Sequence, residues 1–246
     1  MIIRIGDEKR ENVDDHLQKL KAQLISPFVL KEKGHKTTVS ETLLSCIQVM
    51  PHKVNLYSAL VGLVAADDFD FASELFSSIV DSLNQVLVQD GNVYASKNIM
   101  RMLGNFMHFG LINSEVFCQF LLQLLEEYQK LNGANDVTGS QSHSNDLILE
   151  VILAALPATA NKLQREQSID FGTVLESLKT MLKEREKIRP KLAPLKDAEQ
   201  GSDVLSKTWE AFTSNPAKIF NIDTVLLSAS RSMVVELVRN INAVGR

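Results

Sequence analysis

The sequence predicts an all-α fold, an α-solenoid of about five antiparallel helix pairs. Three observations point there. Almost every segment repeats its apolar residues at the 3.6-residue helical period, and none alternates apolar and polar residues as a half-buried strand does. Most of the links between helical segments are short, and consecutive helices on short links pack antiparallel. The stretch from Met50 to Val64 places Gly62 on a helix whose apolar residues are Leu56, Leu60, Leu63 and Val64. A glycine inside a helix costs about 1 kcal/mol relative to alanine, so this one implies a neighbouring helix passing close to the backbone.

The elements follow in order. A first helix spans about Asp7–Leu24 and stops before Pro27. Residues 28–37, with Gly34, read as a basic loop. A second helix spans about Val39–Met50, opened by Thr38 and Glu41 at the spacing of a capping box. After Pro51, a third spans about Val54–Ala66. The turn Asp67-Asp68-Phe69-Asp70 follows, with Asp70 as N-cap of a fourth helix, about Phe71–Val88. The stripe of that helix is Ala72, Leu75, Phe76, Ile79, Leu83, Val86 and Leu87.

Asp90-Gly91-Asn92 makes a turn into a fifth helix, Val93–Phe109, which Gly110 ends. Asn113 or Ser114 caps a sixth, whose stripe starts at Val116 and Phe117 and runs to Tyr128. Residues 132–145 lack apolar anchors and read as a loop. A seventh helix carries Leu147 to Leu156, where Pro157 should end or kink it. An eighth spans about Asp170–Lys187, and residues 190–201 read as a connector. A ninth spans about Asp203–Thr213 with Trp209, and a last one about Ile222–Asn242. Helix pairs of about 40 residues have the period of HEAT-type repeats, although no clean sequence repeat is present. A compact, irregular all-α domain is the alternative arrangement.

Composition narrows the function. The chain has 246 residues, 45% apolar and 23% charged, as in an ordinary globular protein. Its net charge of −4 argues against a surface that wraps nucleic acid everywhere, though not against a local basic patch. Two cysteines, Cys46 and Cys118, make no disulfide framework and imply a reducing compartment. No apolar run reaches the roughly 18 residues of a membrane-spanning helix. The opening residues Met1–Gly6 are too short for a signal-peptide core and read like the interior of an element.

Motifs for chemistry are lacking. There is no phosphate-cradling loop, dinucleotide fingerprint, serine elbow or zinc-protease helix. His16, His35, His52, His108 and His143 are scattered, without metal-ligand spacing. Cys118 with His108 is the one nucleophile–base pairing to weigh, and the apolar helix around Cys118 argues against it. Asp67, Asp68 and Asp70 are better explained as caps than as a cation site, because no calcium-type loop follows. The phenylalanines lie on apolar stripes and read as core. Trp209 is more ambiguous, since an exposed indole can stack on bases. The remaining candidate is basic: Lys183, Arg185, Lys187, Arg189, Lys191 and Lys196 bracket the end of the eighth helix, against only Glu184 and Glu186. The helix dipole alone favours cations there. The functional reading is a docking site for an acidic partner or a nucleic-acid backbone.

Tyr57-Ser58-Ala59-Leu60-Val61-Gly62-Leu63 carries a family resemblance. Arg4-Ile5-Gly6-Asp7 with His16-Leu17 and Leu20, Asp70-Phe71 with Leu75, Arg101-Met102-Leu103 with Phe106, and Ala155-Leu156-Pro157 agree with it. Asp203-Val204-Leu205 with Trp209 fits weakly. Together these residues resemble the first helical domain of the large subunit of the nuclear cap-binding complex, a HEAT-like fold of the class named for the middle domain of initiation factor 4G. The resemblance covers about residues 1–190, faintly 200–212, and ends near residue 214, so a helical domain 1–214 is expected, with 215–246 uncertain. The family's aromatic after the leucine-proline is replaced by Ala158-Thr159.

That resemblance implies a nuclear protein able to shuttle to the cytoplasm, with no cofactor and no catalytic residues. It implies a scaffold working with a small cap-binding subunit that has an RNA-recognition motif, and with processing and export proteins. In that family the small subunit holds the cap and mainly contacts later helical domains, which have no counterpart in these residues. The resemblance therefore implies that this chain meets capped RNA indirectly. Another initiation-factor-4G-like scaffold, docking an RNA helicase or a decay factor, is the alternative within binding proteins; an all-α enzyme is the alternative of a different class.

Overall fold

The structure, a computed structural model, describes residues 2, 13–26, 33–87, 92–133, 142–188 and 204–214. The expected start of the first helix, the loop interior, the connector after residue 190 and the last helix at 222–242 lie outside the described residues. Among the described residues the fold is all-α, as expected. The helices are α1 (Val13–Leu24), α2 (Lys33–Val49), α3 (Val54–Ala65), α4 (Phe69–Gln85), α5 (Val93–Phe109), α6 (Ser114–Gly133), α7 (Ser142–Glu166), α8 (Ser168–Ile188) and α9 (Val204–Ser214). A single 3-10 turn, Pro51–Lys53, joins α2 to α3. Two compact units divide between Asn113 and Ser114, inside the span expected as one HEAT-like stretch.

In the first unit α3 is the centre. Every residue from Val54 to Ala65 except Asn55 is buried, Gly62 included. A helix that is apolar on all sides has to be surrounded, and α3 touches α1, α2, α4 and α5. Polar groups tie the surrounding helices together. The Asn105 side-chain amide on α5 donates to Asn55 Oδ1 at 2.9 Å and to Ser58 Oγ at 3.1 Å on α3. Ser58 in turn donates to the Val54 carbonyl at 2.8 Å. One end of α5 is held by Asn98, which donates to the Gln48 carbonyl of α2 at 3.1 Å. Gln48 Nε2 reaches Ser82 of α4 at 2.8 Å. Because Asn105, late in α5, meets Asn55 and Ser58, early in α3, these two helices run antiparallel.

Helix ends in this unit follow local chemistry, with two corrections. Asn92 caps α5 by accepting from the Ala95 amide at 3.1 Å, and Gly110 closes it at φ 86°, a left-handed position that suits glycine. The expected cap at Asp70 is instead Asp68, whose Oδ1 accepts from the Phe71 amide at 2.9 Å. Asp70 lies in the first turn of α4, where the dipole favours its charge. The expected capping box at Thr38 does not form, because α2 begins at Lys33 and Thr38 is inside it. The Thr38 carbonyl accepts from Thr42 Oγ1 at 2.7 Å. Burial of Leu43, Cys46 and Ile47 on the core side of α2 outweighs the weak helix preference of its glycine and threonines.

The second unit is built on α7, which touches α6, α8 and α9. Only Gln167 separates α7 from α8, and backbone bonds run through it: its amide donates to the Leu163 carbonyl at 2.8 Å, and its carbonyl accepts from the Phe171 amide at 2.9 Å. The loop expected at 132–145 is shorter, since α6 continues to Gly133 and α7 starts at Ser142. Pro157 does not end α7; the helix passes through it to Glu166. Val151, Ile152, Leu156, Ala160 and Leu163 are buried before and after it. That apolar burial offsets a cost of about 3 kcal/mol for an interior proline. Val116, expected on the stripe of α6, is 56% exposed, while Phe117, Cys118, Leu121, Leu125 and Tyr128 are buried. The stripe is narrower than the run of apolar residues, and Val116 falls on its outer edge.

Candidate functional site

The basic end of α8 is the site singled out by the sequence, and the described residues divide its members. Lys183 is exposed. Arg185 is not on the surface: its side chain is 6% exposed and forks onto Asp146, itself 11% exposed. Arg185 Nε donates to Asp146 Oδ1 at 2.6 Å and Nη2 donates to Oδ2 at 2.7 Å. Lys187 belongs to α8, but its side chain lies outside the described residues, as do Arg189, Lys191 and Lys196 altogether.

The two-pronged geometry matches a planar guanidinium to a planar carboxylate, the strongest form of charged hydrogen bond available to side chains. Asp146 lies early in α7 but beyond its first turn, and Arg185 lies in the last turn of α8, where the helix dipole favours a cation. The pair fixes α7 and α8 as an antiparallel hairpin. A second end-to-end contact, from Ser114 Oγ at the start of α6 to the Glu166 carboxylate at the end of α7, makes those two antiparallel as well. Arg185 is therefore structural, and it cannot be offered to a partner without opening the hairpin.

A sequence signal for this role existed. Leu178, Met181 and Leu182 are buried on α8, and Arg185 continues their spacing by one turn. On α7, Asp146 stands three residues before Leu149 and seven before Leu153, both buried. A charge of each sign, each in phase with a buried stripe, marks an internal pair. The cluster of cations in the sequence obscured that phase.

The other chemical candidates resolve into structural roles. Cys118 is buried, and its thiol is pushed up from the ordinary 9.0 to about 11, first by burial and then by the nearby Asp170 carboxylate. A thiol so raised stays protonated near neutral pH and is a poor nucleophile. His108 is half-buried with its ring edge-on to Phe109, centroids 6.3 Å apart. In the acidic turn, Asp67 pairs with Lys21 at 2.9 Å and Asp68 is the cap. Among the described residues no group of three or more His, Cys, Asp or Glu side chains could hold a metal ion. Trp209 is half-buried and lies tilted against Phe212, centroids 5.8 Å apart. Phe71, Phe106 and Phe117 are core residues.

Packed antiparallel helices, polar groups spent on holding helices together, and a buried thiol define the class: an all-α, HEAT-like helical domain. No protein-family model matches the chain. Among curated proteins it is similar to nuclear cap-binding protein subunit 1-A of Xenopus laevis, 21% identical over 202 residues, which covers 81% of this chain and 24% of that protein. It is also similar to nuclear cap-binding protein subunit 1 of Gallus gallus, 22% identical over 190 residues covering 76% and 22% of the two chains. The same subunit of Aedes aegypti is 24% identical over 190 residues, with the same coverage of 76% and 22%. The resemblance read from Tyr57–Leu63 and its companions is thus borne out. The chain spans about a quarter of the length of the curated relatives it matches. No helix among the described residues is long and apolar enough to cross a membrane.

Proposed function

We propose that this chain is a non-enzymatic scaffold domain of a nuclear cap-binding complex. In this reading it works beside a small subunit with an RNA-recognition motif, which holds the 5′ cap. It presents helix surfaces to proteins of mRNA processing, export and early translation. It acts in the nucleus and shuttles to the cytoplasm. The observation that carries the reading is the match to nuclear cap-binding protein subunit 1 over 81% of the chain. The packing adds support: among the described residues, Asn98, Asn105, Asp146 and Arg185 are used to join helices, as in stacked-helix scaffolds that work through their surfaces. Lys183 is an exposed cation of the α8 segment from which a docking contact would be built, with Lys187, Arg189 and Lys191 following it in sequence.

The test is recovery of the tagged protein from cells at its native level and under gentle salt. The expected result is co-recovery of a small cap-binding subunit and of messenger-ribonucleoprotein proteins, with retention on a cap-analogue resin that depends on the small subunit. Recovery without either class of protein would overturn the reading.

A further inference from the structure

The turn between α7 and α8 carries a feature that packing does not explain and that is independent of the scaffold reading. Ile169 is 83% exposed, the highest value among the large apolar side chains of the described residues. It follows Ser168, the first residue of α8, and Arg165 stands three residues before Ser168 in the last turn of α7. Ser168 and Arg165 are exposed as well. Arg165 Nε donates to the Asn161 carbonyl of its own helix at 3.3 Å, a bond at the surface. Buried Leu163 and Phe171 bracket residues 164–170, and no side chain between them is buried.

The sequence singles out the same hydroxyl. In Arg165-Glu166-Gln167-Ser168-Ile169-Asp170, Ser168 is the only serine or threonine of the 246 residues with a lysine or arginine three positions before it. Arginine at that spacing with an aliphatic residue directly after the serine is the pattern read by arginine-directed serine kinases. Carboxylates of the kinase fork onto the guanidinium, and an apolar pocket takes the next side chain. Glu166 and Asp170 are the exposed acids of the segment, two positions before and after the serine. They leave both reading positions to Arg165 and Ile169. Such kinases hold their substrate extended, so the turn has to open. Opening breaks the backbone bonds through Gln167 and the contact of Ser114 with Glu166. It draws no core side chain into water, which puts it at the low-cost end of local unfolding.

We propose that Ser168 is a phosphorylation site for an arginine-directed serine kinase, selected through Arg165 and Ile169. Ser168 Oγ attacks the γ-phosphorus of ATP. The new O–P bond forms as the bond to the bridging oxygen breaks, ADP leaves, and the hydroxyl proton passes to the catalytic aspartate of the kinase. The experiment incubates the folded full chain with magnesium-ATP and the catalytic domain of calcium/calmodulin-dependent protein kinase II, and locates phosphate by fragment mass spectrometry. Phosphate is expected on Ser168 and is absent there in Ser168→Ala. Arg165→Gln and Ile169→Gln are each expected to lower kcat/KM about tenfold, the scale of one lost charged pair or one unfilled apolar pocket, while Arg165→Lys loses less. These side chains are exposed, and a thermal melt of each variant confirms that it folds. Phosphate only on other residues, a wild-type rate in Arg165→Gln, or modification of Ser168 only after unfolding in urea would each overturn the proposal, the last by showing that the turn does not open in the native protein.

Discussion

The two units solve the same problem with different chemistry. In the first, α5 is joined to α2 and α3 through neutral groups: the Asn105 amide onto Asn55 and Ser58, and the Asn98 amide onto the Gln48 carbonyl; the ion pair there, Lys21 with Asp67, is part-exposed and ties α1 to the turn after α3. In the second, the closing contact is a buried ion pair, Arg185 on Asp146. Removing one donor from a neutral network leaves a buried polar group unsatisfied, which costs less than a bare buried charge. A buried ion pair is unforgiving. Its net contribution is small while both partners are present, since desolvation cancels much of the attraction, but either partner left alone is a buried bare charge. The two regions should therefore respond very differently to single and to paired substitutions.

The largest expected effect is in the second unit. Asp146→Ala or Arg185→Ala should each destabilise it by about 3–5 kcal/mol, read by thermal or denaturant unfolding. Replacing both together by apolar residues of similar size should recover most of that loss. If the single substitutions cost no more than a surface pair does, the contrast between the units collapses.

In the first unit, Asn105→Ala should cost about 1–3 kcal/mol, the range for leaving buried polar groups without their donor. A cost equal to that of Asp146→Ala would show that the amide network is as brittle as the ion pair. A third effect belongs to Cys118. Its folded pKa is raised to about 11 from 9.0, so the folded state favours the protonated thiol. Stability is full below about pH 9 and declines as the pH rises towards about 11, by about 1 kcal/mol at pH 10. Cys118→Ser should remove that decline, and native Cys118 should resist alkylation at pH 8. The smallest effect has the opposite sign. Gly172 lies inside α8, and a Cβ built there meets nothing within 4 Å. Gly172→Ala should stabilise the second unit by about 0.5–1 kcal/mol in the same unfolding measurement.

What could be read from the sequence divides along a physical line. The ends of α3 and α5 were legible because strong local signals mark them: Pro51 before one helix, Asn92 and Gly110 around the other. The inner position of α3 was read from Gly62 on its apolar face, and Gly62 is buried. Features decided by distant partners were hidden. Asp68 rather than Asp70 caps α4, a choice among adjacent carboxylates that composition does not distinguish. α2 starts at Lys33 and α7 runs through Pro157 because buried side chains elsewhere in each helix outweigh weak or unfavourable local preference. Of the candidate site, the excess of cations after Lys183 was visible, but the role of Arg185 depends on Asp146, 39 positions away. Nothing in the charge pattern alone separates a cation waiting for a partner from one that already has it.

The one-residue turn at Gln167 has a consequence for how this part of the molecule comes together. With almost no slack between its arms, the α7–α8 hairpin has its register set at the turn. The guanidinium–carboxylate fork lies at the far end of the same hairpin. It latches only when the two arms are in register, so a slipped hairpin fails at the open end rather than at the fold.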